Sequence, residues 1–270
     1  MVKKTLIGVG FKMRKNVKDS ISYAKLLYDF VKNNIDNSMA LEIFFLPSFL
    51  VLYPISKIFG NSIKLGAQDC WHEDEGSFTG EISPRDLKEI GCKYVEVGHP
   101  ERRNIFKEND ELINKKVLAC IRNDLCPLLF IGDREKYEDK KILKKILENQ
   151  LKTDLKSVKK EDLSKVVIAY EPVWAIDAKN AAPVDYIHDS LVLLREIFKN
   201  NYDEEISKNQ MIFYGGSVNL SNAAQILKIE NNDGISSGRG ALNPEQFIKI
   251  LNIVIEFKTK KSWHSLSNLS

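Results

Sequence analysis

The chain has no apolar run long enough to cross a bilayer, no closely paired cysteines and almost no net charge, and each lack removes a class of function. Its 40 basic and 37 acidic side chains leave a balance of +3 over 270 residues, so the charge points to neither nucleic acid nor an anionic membrane as a partner. The lysines are mostly interleaved with acids, as in KYEDKKILKKILENQLKTDLKSVKKEDLSK, which reads as solvated helix faces. Cys70, Cys92, Cys120 and Cys126 form no CxxC pair and no secreted-domain spacing, so reduced thiols and a cytoplasmic location are expected. The N-terminus is basic and then apolar, but only about half a dozen apolar or small residues precede Lys12, too few for a signal-peptide core or a membrane span. Four scattered histidines and unclustered cysteines supply no ligand set, so no metal is expected, and IGVG is at most a fragment of a dinucleotide fingerprint. No cofactor is expected.

With 43% hydrophobic and 29% charged residues, the composition suits a globular protein with a full-sized core. Eight short β-rich runs recur along the chain: TLIGVG, LEIFFL, IKLGAQ, KYVEVG, CPLLFI, VVIAYE, MIFYGG and NDGISS. Helical patterns lie between them. In VKDSISYAKLLYDFVKNN the residues Ile21, Ala24, Leu27, Tyr28 and Val31 fall at helical spacing, and Ile187, Leu191, Leu194 and Ile197 do the same in YIHDSLVLLREIFKNN. Continuously apolar strands alternating with helices fit an all-parallel sheet buried on both faces, and eight such units fit a closed (β/α)8 barrel. An open doubly wound sheet is the competitor, because strand count alone does not establish closure. No proline- or glycine-rich linker divides the chain, so a single domain over residues 1–258 is expected, followed by a tail over 259–270.

A barrel places working residues at the C-terminal ends of its strands. Five such ends stand out: Lys12 after the first run, Glu96 to Arg103 after the fourth, Glu171 after the sixth, and the glycine-rich ends of the seventh and eighth. Each has an ordinary alternative. Alone, Lys12 reads as a solvated lysine of KMRK, Glu171 as a surface glutamate and His99 as a structural histidine, while Glu101 reads as an ion-pair partner of Arg102 or Arg103.

Together, FKM, VEVGHPERR, AYEPVWAI and YGGSV, in this order, resemble the signature segments of the triose-phosphate isomerase family, and GSFTGEIS resembles that family's interdigitating dimer loop. The resemblance runs from about residue 5 to about residue 255 and implies an α/β, single-domain (β/α)8 TIM barrel. It implies Glu171 as the base that moves a carbon-bound proton, His99 as a neutral hydrogen-bond donor, and Lys12 as a fixed positive charge oriented by Glu101; a glutamate base with a neutral histidine is this family's known arrangement. Moving a carbonyl along a phosphorylated sugar also requires a phosphate grip. Gly215, Gly216, Ser217, Gly238 and Arg239 are expected to supply it after the last two strands. Tyr214 with Ala182 would latch the lid that follows Glu171, and Thr79 would reach the partner's site in a homodimer. The expected ligand is a small phosphorylated sugar.

Four departures from the family pattern touch the walls of that site. Gly10 stands where the family carries asparagine, Pro100 where it carries serine, DAKN (Asp177–Asn180) at the far hinge of the lid, and Gly238–Arg239 in place of paired glycines. Asp177, counted among the substrate-binding residues, brings a negative charge to a lid that closes on a phosphate. Gly10 leaves room beside the reacting carbons for an extra CH(OH), which raises a four-carbon erythrulose phosphate as an alternative substrate. A weakened sugar-phosphate binding or regulatory barrel is a further alternative. An aldolase would need a Schiff-base lysine late in the barrel, which the ends of the fifth and sixth runs lack. Phe11 and Met13 are expected to anchor Lys12 from the core.

Overall fold

In a computed structural model, residues 3–36, 38–176 and 181–267 of the chain are described, with side chains as far as residue 259. The eight apolar runs form β1 (Thr5–Gly10), β2 (Leu41–Leu46), β3 (Lys64–Ala67), β4 (Tyr94–Val97), β5 (Cys126–Ile131), β6 (Val167–Tyr170), β7 (Met211–Tyr214) and β8 (Gly234–Ser237). Each pairs in parallel with its sequence neighbours, and β8 pairs with β1, with Leu6 opposite Gly234 and Val9 opposite Ser237. Closure excludes the open doubly wound sheet.

The connecting helices are α1 (Val17–Asn34), α2 (Leu52–Phe59), α3 (Pro84–Glu89), α4 (Pro100–Asn104), α5 (Asp110–Arg122), α6 (Lys140–Asp154), α7 (Val184–Asn201), α8 (Glu204–Asn209), α9 (Ala223–Leu227) and α10 (Pro244–Ser267). In α1 the Asn16 side chain accepts the Asp19 N–H, satisfying one donor of the first turn, and Tyr23, Ala24, Leu27 and Val31 bury one face. The Tyr23 hydroxyl reaches across to the Ala241 carbonyl at 2.7 Å, tying α1 to the end of the barrel sequence. Because α10 continues to Ser267, the expected boundary at residue 258 falls inside a helix.

Side-chain alternation divides the apolar residues into two cores. Ile7, Val9, Val95, Val97 and Ile168 face outward and pack beneath the helices, whereas Leu6, Phe44, Tyr94, Leu128, Phe130 and Phe213 fill the barrel. Phe44 needs the space left by Gly8, where an added Cβ would stand 1.9 Å from its ring. At the lower end of the barrel, Glu42 receives hydrogen bonds from Lys4 (2.8 Å), Lys93 (2.6 Å) and Tyr94. Burial pushes this carboxyl upward, but the three donors outweigh it and hold the group near a pKa of about 2.

Candidate active site

The upper ends of the strands surround a cavity of about 390 Å³ lined by Lys12, His99, Glu171, Ser217, Gly238 and Arg239 among others. Period-two alternation explains why these residues meet. Ala169 points into the barrel, so Glu171, two positions on, points into its mouth, just as Lys12 continues the inward series of Leu6, Gly8 and Gly10.

Lys12 is the second residue past the strand, and it sits at φ +49°, a conformation unfavourable for a residue with a Cβ. The turn closes with the Arg14 N–H donating to the Phe11 carbonyl at 3.1 Å. Gln68, at the end of β3, donates its side-chain amide to the Lys12 and Leu46 carbonyls, both at 3.0 Å, and so clamps the turn from below. Phe11 is buried against Tyr23 and Phe45, as expected. Met13 is not an anchor: the turn at Lys12 ends the alternation and leaves Met13 96% exposed.

The Lys12 Nζ donates to Glu101 Oε1 at 2.7 Å. The alternative partners of Glu101 are engaged elsewhere. Arg102 binds Asp69 (2.7 Å) and Glu108 (2.6 Å), and Arg103 binds Asp154 (2.6 Å), Asp110 and the Gly98 carbonyl. His99 caps α4, its Nδ1 accepting the Glu101 N–H at 3.2 Å. A backbone amide only donates, so Nδ1 carries no proton and the ring's hydrogen is on Nε2. Nε2 lies 3.7 Å from Glu171 Oε2. Burial, then Lys12 and Arg102, lowers the His99 pKa to about 3, so the ring is neutral throughout the working range. Pro100 fits the first position of α4, where a backbone N–H would have had no helical partner.

Glu171 is itself buried, and its backbone passes so close to Gly132 that a Cβ there would stand 2.0 Å from its carbonyl oxygen. The rigid PVW turn after Glu171 hangs on Asp133. That fully buried carboxylate accepts from the Tyr170 hydroxyl (2.8 Å), Trp174 Nε1 (2.7 Å) and the Tyr186 hydroxyl (2.7 Å). Further along, the Ala182 N–H donates to the Tyr214 hydroxyl at 3.3 Å, and the Ser217 hydroxyl donates to the Ala175 carbonyl at 2.9 Å. Asp177 and the rest of DAKN lie outside the described residues.

Of the residues expected to grip a phosphate, Gly215, Ser217 and Gly238 line the cavity, with exposed Arg239 at its rim. Ser217 is held at φ +51°. Gly216 lies behind them, where a Cβ would meet the Tyr214 hydroxyl at 2.6 Å. Gly10 also lines the cavity, but the space beside it is bordered by a carboxyl group: a Cβ on Gly10 would have Glu96 Oε1 at 3.8 Å. Gln68 and Asp133 carry no signal in the sequence alone, and Glu96 shows there only as a polar residue at a strand end, with no role attached. Glu96 had a detectable signal, since it occupies the same face of its strand as the inward Tyr94.

Thr79 is exposed on the loop between β3 and α3, whose base is closed by the Trp71 N–H donating to the Ile82 carbonyl at 2.8 Å. Among the described residues no three His, Cys, Asp or Glu side chains converge as metal ligands would, and no helix is long and apolar enough to cross a membrane.

Residues 5–254 match the family profile described as triosephosphate isomerase. Among curated relatives, the triosephosphate isomerase of Aquifex aeolicus (strain VF5) is 39% identical over 247 residues, covering 91% of this chain and 98% of the relative. That of Dictyoglomus thermophilum is 36% identical over 251 residues, covering 93% and 99%, and that of Clostridium botulinum (strain Loch Maree / Type A3) is 35% identical over 248 residues, covering 92% and 98%.

Proposed function

The chain belongs to the triosephosphate isomerase family, and from that premise we propose how its cavity interconverts dihydroxyacetone phosphate and glyceraldehyde 3-phosphate. One observation carries the mechanism: a buried carboxylate and a neutral, Nε2-protonated imidazole stand 3.7 Å apart beside a lysine whose ammonium is fixed by Glu101. Glu171 removes a proton from C1 of the ketose. The electron pair moves toward the carbonyl, and the charge that develops on its oxygen is met by the Nε2–H of His99 and the ammonium of Lys12. Glu171 then returns its proton to C2, while the hydroxyl proton shifts between the two oxygens, and the aldose leaves. The reaction is balanced without oxidant or cofactor.

The loop around Gly215–Ser217 and the turn at Gly238–Arg239 hold the phosphate, and the Arg239 guanidinium adds charge at the rim. Tyr214, Ala182 and Ser217 hold the lid over it. A four-carbon substrate is not favoured: the relatives are triosephosphate isomerases, and the room beside Gly10 is bordered by Glu96. A binding protein without turnover has no need of a carboxylate buried beside an imidazole.

The same reading makes the protein a cytoplasmic homodimer. A single copy leaves Met13, Leu50, Tyr53 and Phe78 exposed, and the loop carrying Thr79 is the element by which one subunit would reach the other. The test is proton exchange from dihydroxyacetone phosphate in heavy water, followed with the wild type and Glu171→Asp. Wild-type protein should exchange the C1 proton and form the aldose, and withdrawing the carboxylate by one methylene should lower turnover by roughly a hundredfold or more. A wild type that binds the sugar phosphate without exchange would instead favour the binding barrel.

A further inference from the structure

The cavity contains a second carboxyl group that the mechanism above does not use. Tyr94 faces the barrel interior while Val95 and Val97 face the helices, so Glu96 projects inward, onto the floor of the cavity that Lys12, His99 and Glu171 line. It differs from the other deeply placed carboxylates. Glu42 is met by lysines, Asp69 by Lys116, Asp133 by two phenols and an indole, and Asp154 by Arg103. Among the described residues no donor hydrogen-bonds Glu96 and no cation lies at ion-pair distance from it. Its residual exposure opens into the cavity, on the side where Gly10 has no side chain. Gly10 is not needed there for packing, because a Cβ would make only ordinary contacts at 3.8 Å.

We propose that Glu96 is a further substrate-contacting group, whose carboxyl donates a hydrogen bond to an oxygen on the reacting carbons of the bound sugar phosphate. This rests on the function proposed above. A lone buried carboxylate without partners is costly, whereas the acid form supplies one O–H and is neutral. The groups that face it favour the acid: Glu171 just after β6, Glu101 on α4 and Asp69 beyond β3 are all acidic, and only Lys12 opposes them. Burial first, and Glu171 next, raises Glu96 to a pKa of about 8. Two carboxyls in one cavity therefore divide their roles, one ionised as base and the other protonated as donor.

The sign of the pH effect follows. Below about pH 8 Glu96 donates; above it the group is an anion that repels both the developing enediolate and the phosphate, so kcat/KM falls. The test compares the wild type with Glu96→Gln, which keeps a neutral donor, and Glu96→Val, which has none, using dihydroxyacetone phosphate from pH 6 to pH 10. Glu96→Val should lose roughly tenfold to a hundredfold in kcat/KM at pH 7. Glu96→Gln should lose only about threefold and show no alkaline limb near pH 8. The proposal is overturned if Glu96→Val stays within about twofold of the wild type, or if the alkaline limb persists in Glu96→Gln. Should Glu96→Val not fold, the Glu96→Gln profile decides alone. A wild type without turnover would overturn the proposed function instead, and calorimetric titration with dihydroxyacetone phosphate would then decide for Glu96: equal affinity of wild type and Glu96→Val rejects the contact.

Discussion

Replacing Asp133 by alanine should loosen the lid and weaken the barrel together. The carboxylate is fully buried, its three listeners are all donors, and two of them, Trp174 and Tyr186, lie on the lid and on the helix behind it. Truncation orphans three donors at once. Tyr170 is inaccessible to water, so its hydroxyl bears the whole penalty of an unmet buried donor, about 2 kcal/mol. Trp174 and Tyr186 are half-buried and partly rehydrate, adding about 0.5 to 1 kcal/mol each. Removing a buried charge gives something back, and the void that is left takes it away again. The net loss should be about 3 kcal/mol, read as a shift of the urea midpoint at fixed protein concentration, since subunit association contributes to apparent stability. The backbone bond from the Val173 N–H to the Asp133 carbonyl at 2.8 Å survives, so the turn after Glu171 is slackened but kept. Turnover should fall about tenfold or more, because small misplacements of a base are expensive in rate. A variant within about 0.5 kcal/mol of the wild type, with unchanged turnover, would refute the view that this carboxylate pins the lid.

Glycines 8 and 10 should respond unequally to alanine. Gly8→Ala forces a methyl into the Phe44 ring and should cost about 2 kcal/mol or more in chemical denaturation, while Gly10→Ala, whose methyl meets nothing closer than 3.8 Å, should stay within about 0.5 kcal/mol. Glu101→Gln should leave stability almost unchanged, since the pair is partly exposed, but should lower kcat/KM by roughly tenfold in a steady-state assay by freeing the Lys12 ammonium. Equal kinetics in that variant would mean Lys12 orients itself. Glu42 has its pKa depressed from 4.5 to about 2, so its contribution to stability is fully present above about pH 4.5 and is lost as pH falls toward 2. Glu42→Gln should therefore be less stable at pH 7 and show a flatter dependence of the denaturation midpoint between those two values.

The barrel was legible because a parallel strand covered on both faces must be apolar throughout, and the eight runs kept that signature with their boundaries displaced by only a residue or two at the ends. Lys12, His99 and Glu171 were legible for the converse reason, as polar groups placed where such strands stop. Asp133 was not, because its meaning lies in Tyr170, Trp174 and Tyr186, which come from other segments of the chain. Glu96 was read as part of a polar strand end. Its significance depends on which face of β4 looks inward, and that is fixed by the pairing of Tyr94 with its neighbours inside the barrel. Met13 differs from its expected place in the core because the turn at Lys12 ends the strand geometry that buries Val9 and Phe11.

Two side-chain-bearing residues of the cavity, Lys12 and Ser217, hold left-handed backbone conformations at φ +49° and +51°. Each is disfavoured by about 1 kcal/mol in an L-residue, and the closed barrel imposes both before any ligand arrives. Selection for heat resistance alone would thus drift toward glycine or asparagine at these positions. The sturdier proteins it returned would have lost the ammonium and hydroxyl at the mouth of the barrel, so thermal tolerance and catalytic competence pull this chain in opposite directions at the same two peptide units.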